Sequence, residues 1–261
     1  MKVFLSSLEN GQCCFNGRDG KKLESAYYFV DQGVRYKWNL MSFFYIGKKK
    51  YKLAEFIRDH SEEILIDSGA HSFQKGAKVK WNEYTLQYAE FINTFDRPNV
   101  IGYFEMDVDN IIGYDKVLEL RAVLERVSDK IIPVWHKNRG IAEFQRMCQQ
   151  YSEKIVAITG FKNEDIRDEQ YMMFLKYAKQ HNCKVHCLGM TRRKILDRVP
   201  FDYVDSSTWK QQGIYGTIGG RGKVTREFSN TRREVLFLEN YKEGIRMQNH
   251  YYAKWRSVCG D

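Results

Sequence analysis

Only three prolines occur in 261 residues, and no run rich in Ser, Pro or one sign of charge extends beyond a few positions. Linkers and disordered tails are made of such runs, so their absence predicts a single domain over residues 1–261. No window approaches about 18 uninterrupted apolar residues, the length a membrane-crossing helix needs, and no membrane partner is expected. The apolar start from Met1 to Leu5 is too short for a secretory signal, so a soluble, cytoplasmic protein is expected. Six cysteines are sparse for this length, and outside a secretory context they default to reduced thiols without a structural disulfide. Also missing is a Gly-rich turn between a first strand and a first helix, which a dinucleotide site would need. The nearest glycine cluster, at 216–222, follows the last apolar run instead.

With 43% hydrophobic and 15% aromatic residues, the chain can bury a core of barrel size. Apolar runs at 2–7, 38–46, 63–67, 99–107, 130–136, 154–160, 184–189 and 202–205 read as eight strands, most of them ending in a polar residue or a glycine. Between them, Trp81/Tyr84/Tyr88/Phe91/Phe95, Val117/Leu120/Leu124/Val127, Ile141/Phe144/Cys148/Tyr151 and Tyr171/Phe174/Tyr177/Ala178 repeat at helical spacing. Near-continuous apolar strands alternating with one-faced helices predict an α/β fold, a (β/α)8 TIM barrel, with an open doubly wound sheet as the alternative. A long loop is expected at 206–225, either functional or a small hairpin turning at Gly219-Gly220 that braces the barrel, followed by a C-terminal helix at about 226–252.

The formal net charge is +9, with cations clustered at 48–52, 75–80, 192–194, 221–226 and 232–233. Such a balance favours a polyanionic partner over a merely soluble basic surface. Lys48, Lys49, Lys50, Arg192, Arg193, Arg221 and Lys223 are the residues expected to meet nucleic-acid phosphates.

In a barrel of this kind the working residues stand at the carboxyl ends of strands, which nominates Asp67, Asp107, His136, Gly160, Gly189 and Asp205. Two carboxylates flanking a glycosidic carbon divide the labour: one attacks the anomeric carbon, the other moves a proton at the leaving or entering group. A single strand-end aspartate is as well explained by a helix cap or a loop brace. Three on one rim favour chemistry.

Asp67-Ser68-Gly69-Ala70-His71-Ser72-Phe73-Gln74 resembles the Asp-Ser-Gly-Gly-Phe/Tyr-Gln signature of the tRNA guanine transglycosylase superfamily, barrels that exchange a guanine for a 7-deazaguanine. The resemblance spans roughly residues 60–210. It implies that Asp205 is the nucleophile, that Asp67 takes the proton of the incoming base, and that Ser68, Gly69, Phe73, Asp107, His136, Gly160, Leu188, Gly189 and Met190 surround that base. Phe73 or Tyr103 would supply a stacking surface. His136 stands where the family has Gln, and Ala70 where it has Gly.

The family's Cys-x-Cys-x-x-Cys zinc run is absent after Asp205. His181, Cys183, His186 and Cys187 form the one other metal-like grouping, but strand alternation sets His186 opposite Cys183 and Cys187, so no metal is expected there. No redox cofactor is required. The short length is similar to that of relatives, found in phages and bacterial modification islands, that insert 7-deazaguanines into DNA. The expected partners are thus nucleic acid, DNA before RNA, and guanine or a 7-deazaguanine base, with the oligomeric state open. A glycoside hydrolase and a non-catalytic nucleic-acid-binding barrel are the other classes compatible with the residues.

Overall fold

The computed structural model describes residues 1–16, 22–47, 49–73, 79–159, 166–219, 221–223 and 233–260. The eight expected strands are present: β1 (Lys2–Ser6), β2 (Tyr36–Ser42), β3 (Ser61–Asp67), β4 (Val100–Phe104), β5 (Ile131–Ile132 and Val134–Trp135), β6 (Ile155–Thr159), β7 (Lys184–Leu188) and β8 (Tyr203–Ser206). All their pairings are parallel. Strand β5 is broken at Pro133, which has no N–H to give to a ladder. Its first half pairs with β4 and its second with β6. The two ends of the sheet are therefore halves of one strand, and the sheet curls into a near-closed barrel. The Pro133 carbonyl still accepts from the Ala157 N–H at 2.9 Å, so the interruption leaves that acceptor satisfied.

Among the described residues eight longer helices surround the sheet: α1 (Ser25–Asp31), α2 (Tyr51–Asp59), α3 (Trp81–Phe95), α4 (Tyr114–Glu125), α5 (Gly140–Gln150), α6 (Tyr171–Gln180), α7 (Thr208–Tyr215) and α8 (Arg233–Cys259). Strand alternation sorts the apolar residues into two environments. Phe4, Trp38, Leu40, Leu65, Phe104, Val134, Ala157 and Tyr203 fill the barrel interior. Val3, Ile64, Ile66, Tyr103, Val185, Cys187 and Val204 face outward and pack with the helices. The same parity carries Asp67, two residues beyond Leu65, and Asp205, two beyond Tyr203, to the inner side.

Three expectations are corrected. The second strand stops at Ser42, and Phe43–Ile46 is a helical turn, because Phe43 packs on Tyr84, Tyr88 and Phe91 of α3 instead of extending the sheet. The segment after β8 is not one long loop. It contains α7 and an antiparallel hairpin of Thr217–Ile218 with Arg221–Lys223, the bracing alternative. Helix α7 forms because Trp209 and Gly213 dock on α8, where a methyl group on Gly213 would come within 2.6 Å of the Phe237 ring. The last helix is described from Arg233 and runs to Cys259, beyond the expected end near 252; its expected start near 226 lies outside the described residues.

Helix α8 also mends a gap in the barrel wall. Strands β1 and β2 pair only at Leu5 with Asn39 and Ser6 with Leu40. At the end of that short ladder the Gln248 amide donates to both the Val3 and the Trp38 carbonyls at 2.8 Å, tying the two strands together where their pairing stops. No described helix is long and apolar enough to cross a membrane.

Candidate active site

The carboxyl ends of the strands enclose a cavity of about 310 Å³ lined by Leu40, Asp67, His71, Phe104, Asp107, Val134, Thr159, Leu188, Gly189 and Asp205. Of the residues expected at the site, Asp67, Asp107, Leu188, Gly189 and Asp205 are brought together here. His136 joins them through Asp107. Gly160 and Lys48 lie outside the described residues.

Asp67 ends β3 and is followed by a tight turn whose shape depends on Gly69. That glycine has φ +74°, and a Cβ there would lie 2.3 Å from Phe44 Cβ and 2.7 Å from the Phe44 nitrogen. Only glycine accepts both the left-handed backbone and the contact. The turn directs the Gly69 N–H at the Asp67 carboxyl. Burial nonetheless pushes the Asp67 pKa up to about 6; the Gly69 N–H and His71 oppose the rise, while the charges of Asp107 and Asp205 add to it. Ser68 is fully buried and donates to the Glu105 carbonyl at 2.8 Å, while its own carbonyl accepts from Tyr84. It braces the rim and does not face the cavity.

Asp205 sits on β8 with one oxygen fixed. Its Oδ1 lies 3.0 Å from His186 Nε2 and accepts the Gly189 N–H at 2.8 Å. His186 is fully buried among Phe4, Phe104 and Tyr203 inside the barrel. This partner went unassigned in the strand-end reading because it lies mid-strand, although the outward Val185 and Cys187 around it signal an inward imidazole.

Asp107 is held from several sides. His136 Nε2 lies 2.6 Å from its Oδ1, His71 Nε2 lies 3.3 Å from its Oδ2, and Arg139 donates to Oδ1 at 3.4 Å. Burial alone would raise the Asp107 pKa, but the hydrogen bonds and charges of His136 and His71 hold it well below the ordinary carboxylate range. Burial would lower the His136 pKa, yet the same pairing raises it to about 9, and His71 is raised by its bond to Asp107.

Beneath this cluster runs a buried ionic network that strand-end reasoning missed. Arg139 donates to Glu105 Oε1 at 2.9 Å and to Asp109 Oδ2 at 3.0 Å. Arg121 bonds the other Glu105 oxygen, and Glu105 Oε1 also accepts the Val134 N–H at 2.8 Å. Asn138 completes Asp109 at 2.9 Å. Glu105 hid within an apolar run; its flanking Phe104 and Met106 gave no sign of a buried charge.

Several expected binding residues stand elsewhere. Tyr103 is fully buried on the outer face of β4, donating to Asp96 at 2.9 Å, so it offers no stacking surface. Phe73 packs edge-on with Phe44, Trp81 and Tyr84 beside the cavity. Met190 is buried in the outer core with Ile195 and Leu196. Lys50 donates to the Glu9 carbonyl at 2.7 Å and pairs with Glu24, and Arg192 pairs with Asp168 and Tyr171. Lys49 and Arg193 are exposed. Arg221 and Lys223 lie on the hairpin's second strand, and their side chains are outside the described residues. Cys187 turns outward while His186 turns inward, and the Cys183 thiol is directed at the Cys148 and Tyr151 carbonyls.

No protein-family model matches this chain, and neither does any curated protein or solved structure.

Proposed function

We propose that the protein is a base-exchanging glycosyltransferase that replaces guanine in nucleic acid, DNA before RNA, by a 7-deazaguanine. The carrying observation is the unequal state of two aspartates on one cavity. Asp205 has Oδ1 anchored by two donors, while Asp67 is desolvated toward neutrality. A carboxylate held in place by fixed hydrogen bonds and a second, desolvated carboxyl are what a nucleophile and a proton-transfer group require.

In this reading Asp205 Oδ2 attacks C1′ of a guanosine nucleotide. The C1′–N9 bond breaks with its electrons on guanine, and a glycosyl ester remains on Asp205. The incoming base then attacks C1′ from the vacated face, its N9 proton passes to the Asp67 carboxylate, and the ester bond returns its electrons to Asp205. Asp107, with His136 and His71 around it, forms the polar wall against the base edge, and Leu188 and Gly189 form another part of the pocket. The cavity is near the lower end of small-molecule pockets, about 300–1,000 Å³, which suits one base better than a run of sugars. A nucleotide must leave its stack to present C1′ here.

The test is incubation of the protein with labelled guanine and, separately, duplex DNA, tRNA and an oligosaccharide. Label entering DNA supports the proposal as stated, and label entering tRNA only moves the activity to RNA. Hydrolysis of the oligosaccharide without incorporation assigns the carboxylates to a glycoside hydrolase. No reaction with any of the three, at a protein concentration equal to the substrate's, leaves a binding barrel.

A further inference from the structure

We propose that His71, Asp107 and His136 form a binding site for one divalent first-row transition-metal ion, open toward the barrel cavity. The residues follow three successive strands. His71 comes from the turn after β3, Asp107 from the segment after β4 and His136 from the end of β5. Their ligand atoms all lie within 4.8 Å of one another.

The donor set selects the class of ion. Two imidazole nitrogens and one carboxylate oxygen suit zinc, cobalt, nickel or iron, whereas magnesium and calcium call for oxygen ligands throughout. With metal–ligand bonds of about 2.0–2.2 Å, neighbouring ligand atoms of a tetrahedral site stand roughly 3.4 Å apart. The 3.3 Å between His71 Nε2 and Asp107 Oδ2 already has that spacing. The 2.6 Å between His136 Nε2 and Asp107 Oδ1 is a hydrogen bond that the ion would open, displacing the shared proton. Three protein ligands leave at least one position for water or substrate.

Charge points the same way. The buried network holds three carboxylates, Glu105, Asp107 and Asp109, against two guanidinium groups, Arg121 and Arg139, a surplus of one negative charge that an imidazole proton balances and that a bound cation would balance in its place. Arg139 is the guanidinium that reaches Asp107, yet its bonds to Glu105 and Asp109, at 2.9 and 3.0 Å, are closer than its 3.4 Å contact with Asp107. These outer groups fix the Asp107 carboxylate, as orienting groups behind a metal ligand do. His71 has a side chain 70% exposed, which leaves the ion a path from solvent.

The proposal shares residues with the exchange reading but does not rest on it, because the test uses no nucleic acid. Full-length protein is stripped with a chelator and titrated with Zn²⁺ by calorimetry and with Co²⁺ by visible absorption. One equivalent of each should bind, with cobalt showing the d–d bands of an ion in a low-symmetry site of nitrogen and oxygen ligands. His71→Ala, a change at an exposed position that leaves the core intact, should weaken Zn²⁺ binding at least tenfold. His136→Gln should do the same, while His250→Ala, at an exposed histidine of α8, should change nothing. Absence of stoichiometric binding by the wild type, or binding untouched by both His71→Ala and His136→Gln, would overturn the site. Either result leaves the labelled-guanine assay to be judged on its own.

Discussion

His186 Nε2 stands 3.0 Å from Asp205 Oδ1, while Nδ1 of the same ring is buried without a hydrogen-bond partner among the described residues. An ionised carboxylate only accepts, so the proton belongs on Nε2. The imidazole and the Gly189 N–H therefore hold one carboxylate oxygen and leave the other for the cavity.

His186→Leu should slow formation of a covalent sugar adduct about 10- to 100-fold, since a hydrogen bond to a charged group contributes roughly 1.5–3 kcal/mol. His186→Gln retains an N–H donor and should recover part of the rate with little change in KM. Single-turnover kinetics on both variants check this. Equal rates for Leu, Gln and wild type would mean that the imidazole does not position Asp205.

The Asp67 environment sets a pH dependence. As the base for the incoming purine analogue it must be ionised, so resolution of the adduct should rise with pH through about 6 and level off above. Stability follows the opposite sense. Because the folded pKa of about 6 exceeds the ordinary 3.8, the stabilising contribution is full below 3.8 and lost as pH rises through 6. Asp67→Asn should therefore unfold later than wild type at about pH 8, by roughly 1–2 kcal/mol, with a smaller gain at about pH 5. Chemical denaturation at the two pH values measures the difference, and an Asn variant less stable at both would contradict a desolvated carboxylate.

Gly69→Ala tests the turn behind Asp67. The added methyl meets Phe44 backbone and Cβ in a left-handed conformation, so neither neighbour can yield cheaply. A loss of at least about 2 kcal/mol in urea unfolding is expected. A loss under half of that would show that the turn relaxes.

Arg139→Met removes the guanidinium that joins Glu105, Asp107 and Asp109. Leaving buried carboxylates without their partner should destabilise the fold by about 3–5 kcal/mol. Adding Glu105→Gln to the same chain should restore part of that loss, a coupling that a double-mutant cycle reads directly.

The barrel was legible because most of its strands are apolar runs cut off by a polar residue or glycine, and Asp67, Asp107 and Asp205 announced their rim by standing at those cuts. The run 130–136 reads as one strand; that Pro133 breaks it, and that its two halves close the ring from opposite sides, is seen only in the fold. The partners were not legible from strand ends. Glu105 lies between Phe104 and Met106, and Arg139 reaches back from a turn beyond β5, so only the folded barrel sets their charges together. His186 follows from period-two alternation along β7. His71 lay inside the motif that identified Asp67, but its bond to Asp107 depends on the turn that Gly69 permits. Tyr103 failed as a stacking residue for the same parity reason that brings Asp205 to the cavity: it lies on the outward face of β4.

The central claim is that Asp205 attacks C1′, and trapping the glycosyl enzyme tests it most directly. Wild type, Asp205→Asn and Asp67→Asn are each incubated with guanine-containing DNA and run on a denaturing gel, with the attachment point read by peptide mass spectrometry. The account predicts a shifted band on Asp205 in wild type, its accumulation in Asp67→Asn when a 7-deazaguanine is supplied, and its absence in Asp205→Asn, whose amide is too weak a nucleophile. An adduct that survives Asp205→Asn, or one attached through Asp67, would contradict it.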